Sequence, residues 1–338
     1  MKINSITFKL TVDNTQLTKF YEKLSRVLSI VNLSFLLLAL YLYLHMQKIL
    51  ISTPKEFSFD LCHSFLRRSP KEVLHQAEDA SVSKAIYVGD EIIVFRVGHL
   101  EGELVIGFLN GNPSAGIRKK VADYVHAWFD LGTDLKPFYS MARTDELLKE
   151  LVKKYYGYRI IGQPDLFESL IWAVLGQQIN LQFAYTLKQR FVEQFGQSIE
   201  VGHQKYFLFP ACERVGKLSP DQLLSLQFSR QKAAYTIGIA LAFAEGKISK
   251  EKLQGLPLKE AKEELMKTKG VGNWTANYAL MKTFRYPDAF PLEDAGLHNA
   301  IKNIKGMKAK PSLDQVKRIF KKYKGWEAYA TLYFWKSL

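Results

Sequence analysis

The sequence predicts a mostly helical chain with a small α+β unit near its N-terminal end, and three observations carry that prediction. Between residues 48 and 109, short runs of apolar residues alternate with polar ones, as in strands with one buried face. From Ala115 onward the apolar spacing changes to three and four, the period of amphipathic helices. The turn sequence Asn110-Gly111-Asn112-Pro113 separates the two regimes. The expected parts are an apolar extension over residues 1–45, an α+β unit over 46–114 and a helical domain over 115–338.

Residues 48–53 alternate as a strand, and residues 57–68 read as a short helix ending before Pro70. The runs AIYV, EIIVFRVG and ELVIGFL read as three strands, divided by the turn signals Gly89-Asp90 and Glu101-Gly102. Amphipathic helices are expected over 117–130 and 144–156. Residues 164–195 read as one long helix or two, broken near Gly176. Leu218-Ser219-Pro220-Asp221 opens another helix, and residues 230–244 form the next. Helices over 258–267 and 274–284 flank a short glycine-containing loop, and helices over 297–304 and 312–336 finish the chain.

At 47% hydrophobic and 24% charged, the composition is that of a globular protein. The formal net charge of +14 points to a polyanion, either nucleic acid or an anionic membrane surface. Residues 301–338 hold ten Lys or Arg against Asp314 and Glu327, and so supply eight of the fourteen net charges. The aromatics of that tail, Phe320, Tyr323, Trp326, Tyr329, Tyr333, Phe334 and Trp335, read as an ordinary core beneath a basic face. Cys62 and Cys212 are the only cysteines, which excludes a disulfide framework, a zinc spacing or an iron–sulfur cluster and fits a reducing compartment. Residues 27–44 carry no charge and are about long enough to span a bilayer. Three readings stand for them: a membrane anchor, an uncleaved signal-like segment, or an upstream extension with translation starting at Met46. The last is favoured, because Met46 directly precedes the first patterned strand.

The most informative stretch is 265–297. The loop Lys269-Gly270-Val271-Gly272-Asn273 joins two helices within a hairpin expected over 260–284. Gly270 and Gly272 are expected to give the backbone positive φ and close approach to a partner. The following helix directs unpaired N–H groups from its N-terminus, a phosphate site that grips a nucleic-acid backbone without reading sequence. A plain helix–turn–helix corner explains the loop equally well. Asp294, after Phe290 and Pro291, opens a helix and by itself reads as an N-cap.

Gly270-Val271-Gly272, then Trp274-Thr275-Ala276, then Pro291 and Asp294 together resemble the helix-hairpin-helix Gly/Pro/Asp DNA glycosylase superfamily, nearest to its bacterial DNA-3-methyladenine glycosylase II group. Further blocks agree: Arg159 through Glu168 running into Gly176-Gln177, Ser229 through Ala233, and Trp326 through Trp335. The resemblance runs from about Lys48 to the C-terminus, loosely in the N-terminal strands. It implies a helix-hairpin-helix glycosylase fold and a monofunctional base-excision enzyme that hydrolyses alkylated purines, of the 3-methyladenine type, from double-stranded DNA.

On that resemblance Asp294 is the catalytic carboxylate. The hairpin clamps a phosphate, so a carboxylate at fixed distance faces the neighbouring sugar. There it stabilises oxocarbenium charge at C1′ and orients or deprotonates the attacking water. Glu293, next to it, is expected to point elsewhere. Bifunctional members of the superfamily carry a Schiff-base lysine where this chain has Trp274; Lys269 and Lys282 are not at the matching place, so no strand-nicking step is expected. Trp274 and Tyr278, at i and i+4, and Trp335 are the expected base pocket, attracting a cationic or electron-poor base through their faces. Gln177 is expected beside the pocket. Gln178 stands where the nearest relatives carry an apolar wedge that fills the place of the flipped base. Lys269, Gly270, Val271, Gly272 and Asn273 are the expected DNA contacts. No polar set for reading one base is evident, which implies broad specificity. No cofactor or metal is required, and a monovalent cation at the hairpin backbone fits the family. The expected protein is a monomer in the cytoplasm, associated with the nucleoid, with anchoring by residues 27–44 left open. The rival readings are an oxidised-guanine glycosylase, which Trp274 argues against; a non-catalytic helix-hairpin-helix DNA-binding protein, for which Asp294 would be dispensable; and a membrane-anchored protein whose basic face meets lipid.

Overall fold

The computed structural model describes residues 48–338. Residues 27–44 and Met46, with every reading placed on them, lie outside the described residues. Among the described residues no helix is long and apolar enough to cross a membrane.

Strands β1 (Lys48–Ser52), β2 (His75–Glu78), β3 (Ser81–Val88), β4 (Glu91–Leu100) and β5 (Glu103–Phe108) form one antiparallel sheet in the order β1-β5-β4-β3-β2. The register pairs Val82 with Val97 and Ile86 with Ile93, so one face collects the buried set Val82, Phe95, Val97, Leu104 and Ile106. Helices α1 (Phe59–Leu66) and α2 (Ala115–Trp128) cover that face; Ser58 and Ser114 start them by accepting from Leu61 N and Ile117 N. Strand β2 was not expected, because HQAE has no apolar alternation; it is an edge strand paired only to β3.

The helical part follows as α3 (Lys136–Ala142), α4 (Lys149–Lys154), α5 (Leu166–Gly176) and α6 (Leu181–Phe195). Next come the two-stranded hairpin β6 (Ser198–Val201) and β7 (Gln204–Phe207), then α7 (Cys212–Val215), α8 (Pro220–Leu224) and α9 (Arg230–Ala244). The chain ends with α10 (Lys250–Leu253), α11 (Leu258–Met266), α12 (Asn273–Ala279), α13 (Ala295–Ile304), α14 (Leu313–Phe320) and α15 (Glu327–Lys336). Every residue of α5 from Leu166 to Leu175 is buried, as its nearly all-apolar sequence requires, and it packs against α6, α9 and α12. One apolar core runs from the sheet face through Trp128 and Phe129 to the C-terminal helix.

Three expected elements changed. The helix over 144–156 shrinks to α4, because Asp145 turns back to accept from Leu147 N and Leu148 N. The helix over 274–284 ends as α12 and continues as a wide π turn, Leu280–Phe284, closed by Arg285 at φ +58°. The helix over 312–336 breaks at Lys321–Tyr323 and at Gly325, where φ is +84°. Helix α3 and the hairpin β6–β7 were not expected at all. The tail aromatics do form core: Phe320, Tyr323, Tyr329, Tyr333 and Phe334 are buried, with Trp326 and Trp335 packed against them.

Candidate active site

The hairpin is α11, the loop 267–272 and α12. Gly270 takes φ +95°, and a Cβ there would lie 2.4 Å from Cγ of Tyr235 on α9, so only glycine fits. Gly272 departs from the expectation: its φ is −86° and its ψ −178°, ordinary extended backbone as the N-cap of α12. Its missing side chain instead leaves open space, with nothing within 4 Å of a Cβ built there. Lys269 and Gly272 are exposed, Asn273 is half-buried, and Val271 is buried beneath the loop. The loop therefore presents backbone and the Lys269 ammonium outward on an apolar anchor, while the Lys267 ammonium pairs with Glu264.

From this hairpin the chain returns to Asp294 through a segment held by Asn277. The Asn277 amide donates to Asn273 O (2.9 Å), and its Oδ1 accepts from Phe290 N (3.0 Å). Asp294 is the N-cap of α13, and Oδ1 accepts from Leu297 N at 2.7 Å. The same oxygen accepts from Trp335 Nε1 at 2.7 Å, and Oδ2 accepts from Trp274 Nε1 at 3.1 Å. A carboxylate has about four acceptor directions; three are filled by fixed N–H groups, which leaves one on Oδ2. Gly296 makes room for this arrangement, since a Cβ there would lie 3.0 Å from Asp294 Oδ1 and 3.4 Å from Trp335 Cδ1. Glu293 is turned away, accepting from the Asn273 side chain at 2.9 Å.

The three expected pocket aromatics stand together and are half-buried. Trp274 and Tyr278 stack with centroids 5.4 Å apart, and Tyr278 meets Trp335 at 6.3 Å. Trp172 Nε1 donates to the Tyr278 hydroxyl at 3.0 Å, and burial pushes that phenol up to about 12. Behind Tyr278 a cavity of about 50 Å³ is lined by Arg68, Trp172, Tyr185 and Lys282 among others. Arg68 Nε donates to Tyr185 OH at 2.6 Å while its guanidinium lies over Phe65. Burial, with Arg68 and Arg285 adding to it, brings the Lys282 ammonium down to about 7. None of these cavity residues was singled out in sequence except Lys282, and that one only to be dismissed as a Schiff-base lysine; they come from separate elements, so no spacing announces them.

Gln177 caps α5 with its amide on the hairpin, donating to Gly270 O (3.2 Å) and Thr275 Oγ1 (3.0 Å). Gln178 is exposed at φ +56°, left-handed backbone that a non-glycine residue rarely adopts. Among the described residues, no group of three or more His, Cys, Asp or Glu is placed to hold a metal ion.

Comparison with known proteins agrees with this architecture. A family model described as HhH-GPD superfamily base excision DNA repair protein matches residues 171–325. One described as 8-oxoguanine DNA glycosylase, N-terminal domain, matches residues 55–170. The chain is 42% identical to DNA-3-methyladenine glycosylase of Bacillus subtilis (strain 168) over 293 residues, covering 86% of this chain and 97% of that protein. It is 28% identical to DNA-3-methyladenine glycosylase 2 of Escherichia coli (strain K12), over 53% of this chain and 60% of that one. The solved structure of a 3-methyladenine DNA glycosylase from Archaeoglobus fulgidus shares the fold, with a TM-score of 0.74 at 23% identity over 85% of this chain and 97% of that one. With 42% identity across nearly the whole of the Bacillus subtilis relative, the chain belongs to the HhH-GPD superfamily of base-excision DNA repair glycosylases, in the group that holds the DNA-3-methyladenine glycosylases.

Proposed function

We propose that the protein binds double-stranded DNA as a monomer, in the cytoplasm at the nucleoid. It extrudes an alkylated purine and hydrolyses the N-glycosidic bond, leaving an abasic site in an intact strand. The observation that carries this reading is the setting of Asp294, a carboxylate fixed by two indole N–H groups and its own helix N-terminus. The hairpin loop and the N-terminus of α12 grip one phosphate, which sets the sugar beside that carboxylate. The extruded base enters the cleft of Trp274, Tyr278 and Trp335, whose faces favour an electron-poor ring. Gln178 fills the vacated place in the stack.

As the bond to the base lengthens, positive charge develops at C1′, and the fixed carboxylate stabilises it without reorganising. The remaining acceptor direction on Oδ2 aligns the attacking water and takes its proton. Trp274 occupies the position of the Schiff-base lysine, so the reaction ends at hydrolysis. This chemistry needs no cofactor. The carbonyls of Lys269 and Val271, which accept no hydrogen bond among the described residues, would hold a monovalent cation at the hairpin backbone, and its charge would add attraction for a phosphate. Incubating the protein with methylated duplex DNA and separating the released bases by chromatography tests the reading: free methylated purines are expected, and no released base would contradict it.

A further inference from the structure

Lysine is seldom buried without an anionic partner. Lys232 on α9 is only 8% exposed, and burial alone pulls its ammonium down to about 8, with no carboxylate offsetting that pull. Its three N–H donors go to main-chain carbonyls: Val174 O at 2.8 Å, Leu175 O at 2.9 Å and Gln177 O at 2.6 Å. These are carbonyls of the last turn of α5 and the residue just beyond, where a helix runs out of its own N–H donors; only Val174 O also accepts from the main chain, from Gln177 N at 3.3 Å. A cation there also suits the negative end of the helix dipole. A glycine would end the helix without burying a charge, yet the chain places an ammonium at this spot. The next residue is Gln178, exposed and left-handed at φ +56°. Such backbone persists where the surroundings over-determine it. Lys232 fixes the main chain on one side of Gln178, and the Gln177 amide ties the same turn to the hairpin through Gly270 O and Thr275 Oγ1.

We propose that Lys232 is a positioning residue for base extrusion: by holding the carbonyls of Val174, Leu175 and Gln177 it sets the turn from which Gln178 projects into the space left by the flipped base. The proposal rests on the reading of Gln178 given above. Lys232 is buried with its donors taken by main-chain carbonyls, so its effect falls on extrusion and kcat, not on affinity for duplex.

The test is a double-mutant cycle on DNA carrying 2-aminopurine beside the lesion, whose fluorescence reports extrusion, with single-turnover excision followed in parallel. Lys232→Met is expected to lower both the signal and the rate by roughly ten- to a hundred-fold while leaving the affinity for undamaged duplex unchanged. Lys232→Met combined with Gln178→Ala is expected to be no worse than Gln178→Ala alone, because both act through one turn. A wild-type signal in Lys232→Met, losses that multiply in the double variant, or a loss confined to duplex affinity would overturn the proposal. Circular dichroism checks that each variant is folded; Lys232→Gln, which keeps an N–H donor on a shorter stem, carries the same cycle if the methionine variant does not fold. If Gln178→Ala alone extrudes normally, the reading of Gln178 and the role of Lys232 fall together. A normal Lys232→Met beside an impaired Gln178→Ala removes only the latter.

Discussion

Trp335 carries two properties that a phenylalanine would separate. Its ring closes the cleft against Tyr278, and its N–H holds Asp294 at 2.7 Å. Trp335→Phe keeps an aromatic, if smaller, ring and deletes the donor. A hydrogen bond to a charged group contributes about 1.5–3 kcal/mol, so kcat is expected to fall roughly ten- to a hundred-fold with little change in KM, as steady-state kinetics would show. An unchanged kcat would mean that the indole N–H does not orient the carboxylate. Trp274 makes a second statement at this scale. With no amine in its place, borohydride should trap no covalent protein–DNA adduct, and a trapped adduct would reveal a lyase step. That Asp294, Trp274 and Tyr278 stand together was legible in the sequence, because they lie within about one hairpin of each other at recognisable spacing. Lys232 and Trp172 were not, because their work depends on partners 55 to 106 residues away.

At the scale of elements, the seam between the α1–β2 connection and α6 is a buried ion pair. Lys188 donates to both oxygens of Glu72 at 2.9 and 3.0 Å, and Glu168 lies 3.9 Å from the same ammonium. Burial alone would raise the Glu72 pKa; Lys188 and then His75 outweigh it and hold the carboxyl at about 2, below its ordinary 4.5. A carboxyl depressed in the folded state stabilises that state fully above its unfolded pKa. The contribution is lost as pH falls from about 4.5 towards 2. Glu72→Gln should therefore destabilise the protein by roughly 3–5 kcal/mol at neutral pH, and the difference should shrink through that acid window in urea unfolding. A pH-independent difference would assign the loss to packing. Strongly patterned helices such as α9 were legible almost to the residue, and so was the break after Gly176. The hairpin β6–β7 was missed although Gly202, at φ +62°, sits in its turn, because its strands are only four residues long. The break at Gly325 was hidden by the continuous aromatic spacing on either side.

For the whole molecule, the basic excess is the property that must meet the DNA. Phosphate contacts release counterions, so affinity for undamaged duplex should fall at least about ten-fold between roughly 50 and 200 mM salt. A flat plot of log affinity against log salt would show that the basic surface is not the DNA face. The helical fold with its N-terminal sheet unit was legible as a whole because the period of the apolar pattern changes once, at the turn before Ala115. That one apolar core runs across this turn was not legible, since which faces meet is decided by packing between distant segments. The proposed chemistry converges on one side chain, and its most direct test compares single-turnover base release from methylated duplex by the wild-type protein and by Asp294→Asn. The asparagine keeps the shape and loses the charge. Release should fall by at least roughly a hundred-fold, with duplex affinity and the extrusion signal retained. Near-normal release by Asp294→Asn would show that this carboxylate does not carry the reaction.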